Sequence, residues 1–235
     1  MSVRWLMACG PKTTRINIAA HVRSPDIRAL AVAAGWDGAG QIVLTINSGI
    51  DVAALRVENI PHDVLHIVVN SSARMGGLIN GGTALYTRTR IQLTNGGIMF
   101  GGGGSGGGGG QAWVKYLFDD GIYWAFGGNG GRGAGFSESG AVTMLSQTGG
   151  DSGTYWRYGG AVLGGETAPW AEGGAGGAGG AIGQAGIGGS YATWGGSYQD
   201  HGEGLPSNGQ AAGCYVDGNA YVTWLATGTR LGRVI

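Results

Sequence analysis

GGAGGAGGAIGQAGIGG, residues 173–189, places a non-glycine residue at every third position through its first half. Three residues is the repeat of a polyproline II helix, which rises about 3.1 Å per residue and forms no hydrogen bonds within itself. Its amides and carbonyls point outward, and two bare faces out of three let neighbouring helices touch. Related runs occur at GGGGSGGGGG (Gly101–Gly110) and GGNGGRGAG (Gly127–Gly135). Residues 96–209 hold 41 of the 54 glycines, so the change of composition marks a boundary on each side. The 5 prolines in the chain and the runs broken by ordinary sequence argue against a collagen triple helix. Two readings remain, a packed bundle of short glycine-rich helices or a disordered linker.

Composition favours packing. Charged residues make up 12%, while 8 Trp and 9 Tyr are present, the reverse of the usual signature of disorder. The 14 basic and 14 acidic side chains cancel, which leaves no broad basic field for nucleic acid or an anionic membrane. No apolar run approaches the roughly 18 residues of a membrane span, so no membrane insertion is expected. The opening MSVRWLMACGPK lacks the apolar core and cleavage site of a signal peptide, and a cytoplasmic origin is expected. Cys9 and Cys214 read as two reduced thiols, with a single terminal disulfide as the alternative.

Residues 1–95 read as a separate domain. RINIA (Arg15–Ala19), QIVLTI (Gln41–Ile46), LHIVV (Leu65–Val69) and RIQL (Arg90–Leu93) are strand candidates. Ser24-Pro25-Asp26 starts a short helix running to Ala34, with Pro25 in its first turn. After Gly209 the texture is ordinary again. Cys214–Val216 and Ala220–Ala226 read as strands of a hairpin turned at Asp217-Gly218-Asn219, a segment (210–235) that closes the bundle. The expected fold class is therefore a small α+β, short-strand N-terminal domain, then a packed bundle of short glycine-rich helices (96–209), then a short C-terminal β segment closing the bundle.

Between the glycine runs lie QAWVKYLFDDGIYWAF (Gln111–Phe126), FSESGAVTMLSQT (Phe136–Thr148), DSGTYWRY (Asp151–Tyr158), ETAPWAE (Glu166–Glu172) and SYATWGGSYQDHGEGLPSN (Ser190–Asn208). If the runs pack side by side, these are end loops, and alternate loops share an end. The candidate binding residues are Trp113, Tyr116, Phe118, Tyr123, Trp124, Tyr155, Trp156, Arg157, Tyr158, Trp170, Tyr191, Trp194 and Tyr198. Trp and Tyr on anchored loops give large contact area at low entropic cost. Roughly half of these rings are expected to cover the edges of a bundle that has few side chains of its own.

Catalytic signals are weak. Gly150-Asp151-Ser152-Gly153 and Ala19-Ala20-His21 resemble the serine and histidine sites of chymotrypsin-like proteases, but no barrel-length run of strands lies between them. Gly128-Asn129-Gly130-Gly131-Arg132-Gly133 fits a dinucleotide fingerprint by chance within a glycine block, with no preceding strand. Asp119, Asp120, Asp200, His201 and Glu203 lack metal-ligand spacing. Asp119, Asp120, Glu138, Glu166 and Glu172 lie on loops, and nothing in the sequence sets the separation that glycan hydrolysis requires. No catalytic residue, cofactor or metal is expected.

GWDGAGQIVLTINSGI (Gly35–Ile50), LTNGGIMFGGGGSGGGGG (Leu93–Gly110) and GNAYVTWLATGTRLGRVI (Gly218–Ile235) resemble segments of the glycine-rich tail-fibre tip adhesins of T-even-like Salmonella phages. The resemblance covers most of the chain; the loops and residues 64–85 depart from it. It implies that residues 1–95 attach to the tip of a trimeric tail fibre or to a tail hub, and that residues 96–209 form a bundle, or sandwich, of packed polyglycine type II helices. It also implies that distal loops bind a bacterial outer-membrane protein or surface glycan, on a protein made in the host cytoplasm and carried on the virion. One copy per fibre is expected, with a homotrimer as the alternative. A polysaccharide-cleaving tip enzyme and a structural tail component without receptor role remain the competing readings.

Overall fold

The computed structural model describes residues 12–118, 121–160, 162 and 164–235. The first coil of chain comprises β1 (Thr13–Ile18), β2 (Val22–Arg23) and α1 (Ile27–Ala33). The second holds β3 (Gln41–Ile46), β4 (Asp51–Ala53) and β5 (Leu55–Val57), and the third β6 (Leu65–Val69), β7 (Arg74–Gly76) and β8 (Leu85–Thr87). The fourth begins with β9 (Ile91–Asn95) and β10 (Ile98–Phe100). The chain then leaves the coil over residues 101–213. That excursion carries β11 (Gln111–Tyr116), β12 (Ile122–Ala125), β13 (Gly135–Phe136), β14 (Met144–Leu145), β15 (Tyr155–Arg157), β16 (Trp170–Glu172), β17 (Thr193–Gly195) and β18 (Tyr198–Gly204). It returns as β19 (Cys214–Asp217), and β20 (Val222–Ala226), β21 (Thr229–Leu231) and β22 (Arg233–Val234) make the fifth coil.

Successive coils stack into three parallel sheets, in the orders β1-β3-β6-β9-β20, β2-β4-β7-β10-β21 and β5-β8-β19-β22. This is a three-sided parallel solenoid, in which each coil buries its inner face only by lying on its neighbours. Alternation drives it: every second residue of β1, β3, β6 and β9 is buried. In register, Ile42 lies beside Leu65, Leu44 beside Ile67, and Ile67 beside Leu93, so identical positions form apolar stacks down the axis. The buried Asp51 is held by a bidentate pair from its cross-strand neighbour Arg74, both contacts at 2.7 Å. Its own amide donates to His21 Nδ1 at 3.1 Å. Asp26 rather than Ser24 caps α1, its carboxylate accepting from the Ala29 amide at 2.9 Å, and Pro25 lies just before the cap.

The excursion crosses between the solenoid and a distal tip six times. Its outward and return runs, residues 101–110, 127–134, 148–154, 173–181, 186–190 and 207–213, lie outside any helix or strand. They are bonded to one another every third residue. Gly103, Gly106 and Gly109 donate to the carbonyls of Ala134, Gly131 and Gly128, while Gly104, Gly107 and Gly110 donate to those of Gln184, Ile187 and Ser190. Gly180, Gly177 and Gly174 donate back to Gly104, Gly107 and Gly110. Ser207, Gln210 and Gly213 donate to the carbonyls of Gly108, Ser105 and Gly102, so the run 101–110 is bonded to four neighbouring runs. A Cβ at Gly103, Gly106 or Gly109 would come within 2.0 Å or less of a facing carbonyl oxygen, so bare backbone is a condition of this spacing.

Two expectations are corrected here. The fold class is not an α+β domain followed by a helix bundle. The described residues are 38% strand and 5% helix, with one α-helix, and several sheets organise the chain. The physical reason is that the short β-branched segments near both ends stack coil upon coil in parallel. The C-terminal segment, expected to be a hairpin, is split between sheets: β19 pairs with β8 and β22, and β20 pairs with β9. Residues 214–234 therefore belong with the N-terminal sheets. Cys214 is free and buried, whereas Cys9 lies outside the described residues.

Candidate functional site

Three segments turn at the distal end, residues 111–126, 154–172 and 191–206. They form two antiparallel three-stranded sheets, β12-β11-β18 and β15-β16-β17. The sheets face each other across a small core of Ala112, Val114, Ala125, Ala171 and Ala192, edged by Tyr123, Trp156, Trp194 and Tyr198. Alanine at the centre lets the sheets approach closely, and the aromatic rings seal the rim. Two turns lie at the other end, residues 136–147 and the short turn 182–185, where the Gln184 amide donates to the Ala181 carbonyl. There Phe136 meets Phe100 with ring centroids 5.1 Å apart, beside buried Ala53.

The candidate aromatic residues divide by what they touch. Tyr116 is 2% exposed and packs against Tyr158 at 4.4 Å, so it offers no surface. Tyr123 stacks on Trp156 at 4.1 Å, and Trp194 on His201 at 4.8 Å, within the rim of the core. Trp113 and Trp170 lie flat over glycines of the next strand. A Cβ at Gly202 would be 2.4 Å from the Trp113 indole nitrogen, and one at Gly195 would be 2.8 Å from that of Trp170. Glycine therefore fixes these rings in the plane of their sheets. Phe118, Trp124, Tyr155 and Tyr191 are exposed, and Arg157 is exposed beside them on β15.

The structure adds residues that the sequence reading left out. Phe126, 57% exposed, stacks on Trp124 with planes 10° apart. Together with Trp113, which is 6.1 Å from Trp124, it forms a row of three rings on the outer face of one sheet. Leu117, Ile122 and Leu205 are exposed nearby. The signal for Phe126 was its place at the end of the alternating string that closes on the glycine run. Asp119 and Asp120 fall outside the described residues.

The catalytic resemblances do not assemble. His21 is engaged by Asp51 in the solenoid, whereas Asp151 and Ser152 sit in a glycine run, where Asp151 bonds Asn129 and Gly176 through its backbone. Among the described residues, no group of three His, Cys, Asp or Glu side chains is placed to hold a metal ion. No helix of the described residues is long and apolar enough to cross a membrane.

The family model of the phage tail fibre adhesin Gp38 matches residues 13–235, from the first solenoid strand to the C-terminus. The chain belongs to that family. No curated protein and no solved structure matches it. Membership implies a tail-fibre adhesin located on the virion tail, attached to a fibre and directed at a receptor on the host surface.

Proposed function

We propose that this adhesin is non-enzymatic and recognises a bacterial outer-membrane protein or surface glycan through the distal tip. The observation that carries this reading is the convergence of three sequence-distant segments into one strand-anchored end that exposes Trp124, Phe126, Tyr155 and Tyr191. Exposed rings on a rigid frame bind without ordering cost, and several fibres on one particle multiply a modest affinity. In this reading residues 1–95 attach to the tip of a trimeric fibre or to a tail hub, in one copy per fibre. Residues 96–209 carry the binding surface, and residues 210–235 complete the solenoid below it. The resemblance to tips of T-even-like Salmonella phages makes Salmonella the first host to examine.

The test is adsorption of the purified chain to cells of the strain on which the phage carrying it plates. Tyr155→Ala and Trp124→Ala together should leave the circular dichroism spectrum unchanged and reduce adsorption at least tenfold. Undiminished adsorption would remove the tip from the reading. Release of shortened polysaccharide during incubation would replace adhesion with hydrolysis.

A further inference from the structure

At one open edge of the tip, where β17 and β18 bring the two sheets together, lies a hollow of about 310 Å³ lined by Tyr191, Ala192, Thr193, Trp194 and Glu203. We propose that this hollow is a subsite for a single uncharged pyranose ring of a bacterial surface glycan. The proposal rests on the adhesin reading above and names the ligand class of one part of that surface.

The volume lies at the lower limit of small-molecule sites, about 300 Å³, so it suits one ring rather than an extended ligand. Its floor is rigid. Trp194 packs on the alanine core and stacks with His201, which in turn meets Tyr198 edge-on at 4.7 Å. Tyr191, 64% exposed, supplies a second aromatic face. The electron-rich face of an aromatic ring attracts the weakly positive C–H face of a pyranose, as it does other polarised hydrogens. Glu203 stands beside these rings and takes part in none of the ion pairs of the described residues. Its free carboxylate accepts hydrogen bonds from hydroxyl groups, and such charge-assisted bonds are the stronger kind.

Charge narrows the class. No Lys or Arg lines the hollow, and Glu203 is the one charged residue among its lining. A carboxylate with no lining cation beside it disfavours phosphorylated or acidic sugars. Openness separates a sugar from a protein anchor. An Arg or Tyr hot spot needs a surrounding ring of contacts that excludes water, whereas a pyranose on a shallow shelf keeps its outer hydroxyls solvated.

The experiment uses the full chain, with tryptophan fluorescence and ligand-observed NMR. The probes are methyl glycosides of glucose, galactose, mannose and N-acetylglucosamine, with galacturonic acid as the anionic control. Saturable millimolar binding of at least one neutral glycoside is expected, at least tenfold weaker in both Tyr191→Ala and Glu203→Gln, with galacturonic acid at least tenfold weaker on the unaltered chain. Both positions are exposed, so unchanged circular dichroism will show that the fold survives. No saturable response from any neutral glycoside, or binding indifferent to both substitutions, overturns the subsite. Adsorption to the plating strain separates the two levels. Loss after periodate treatment of the cells supports the glycan. Loss only after protease treatment overturns the subsite and leaves the adhesin reading standing, and no adsorption to untreated cells overturns the adhesin reading itself.

Discussion

Arg23 of the first coil grips the backbone carbonyl of Ser137, with Nη2 at 2.7 Å and Nε at 3.0 Å, across 114 positions of sequence. The same guanidinium reaches Ser137 Oγ at 3.1 Å and the carbonyls of Ser139 and Gly140 at 3.3 Å. One planar fork thus pins the lower turn of the excursion to the solenoid.

Replacing Arg23 by Ala should loosen that joint without unfolding the tip. Part of the network is solvent-exposed, so the loss should be about 1–2 kcal/mol, around the lower end of the roughly 1.5–3 kcal/mol usual for hydrogen bonds to charged groups. For a chain of this size that corresponds to a fall of roughly 2–8 °C in Tm. Hydrogen exchange should quicken in residues 136–143 and stay unchanged in residues 111–126. Arg23→Lys should behave like the Ala variant, because a point charge does not reproduce the fork. Full retention of Tm in both would show that the packing of Phe136 on Phe100 and its backbone bonds to Gly77 and Ile79 hold the joint without the guanidinium.

Neighbouring glycines in a single run should respond oppositely to the same change. A Cβ at Gly106 would lie 1.9 Å from the Gly177 carbonyl oxygen, whereas one at Gly108 meets only Ser207 Oγ at 3.6 Å and the Gly128 oxygen at 3.7 Å. Gly106→Ala must push backbone from backbone and should abolish soluble folded protein. Gly108→Ala should be tolerated, with a change within about 1 kcal/mol, since ordinary contacts and a stiffer unfolded chain offset each other. The same contrast sets Gly150, 2.2 Å from the Gly176 oxygen, against Gly149, which faces open space. Amides of Gly174, Gly177 and Gly180, each bonded to the central run, should exchange slowly. Equal tolerance at Gly106 and Gly108, or fast exchange at those three amides, would return the runs to the class of flexible linkers.

How far the sequence disclosed this architecture depends on the range of the signal. The three-residue spacing in Gly173–Gly189 is local, and it reappears as the three-residue interval of the hydrogen bonds between runs. The strands Gln41–Ile46 and Leu65–Val69 were visible from their β-branched alternation, and the expected Arg90–Leu93 overlaps the first half of the observed Ile91–Asn95. Their parallel stacking was not, because pairing of successive coils is a long-range relation. Its sequence trace is the similar spacing of those three strands, the kind of interval that marks a solenoid. The split of the C-terminal strands between two sheets was hidden for the same reason, since Asp217-Gly218-Asn219 looks locally like a hairpin turn. At the tip, composition located the aromatic residues but not their orientation. Nothing adjacent to Tyr116 in sequence says that it is buried against Tyr158 while Trp124 faces solvent; contacts with segments distant in sequence decide it.

Tyr116 leads to a third test. Its ring is buried among aromatics, and its hydroxyl has no hydrogen-bond partner among the described residues. A buried hydroxyl without a partner costs about 1–3 kcal/mol of desolvation. Tyr116→Phe should therefore leave stability unchanged or raise it by about 1 kcal/mol, while Tyr116→Ala should cost about 3–5 kcal/mol as a large-to-small change in a packed site. Urea denaturation of the three proteins decides this. A clear loss in the Phe variant would mean that the hydroxyl is bonded in solution.

Cys214 gives the last test through pH. It is buried on β19, and burial raises its thiol above the ordinary value of 9.0, with Asp217 acting in the same direction and Arg233 against it. The folded chain therefore keeps this proton to higher pH than the unfolded chain does. The contribution to stability is fully present below pH 9.0 and is lost as pH rises through the raised folded value. With Cys9→Ser as background, Tm should fall more steeply between about pH 8 and 10.5 than it does when Cys214→Ala is added. Iodoacetamide at about pH 8 should leave Cys214 unmodified in the folded protein and label it after denaturation, since the reactive species is an accessible thiolate. Rapid labelling of the folded chain would show that the strand completing the fourth coil opens readily. The excursion would then be hinged at its return to the solenoid rather than fixed there.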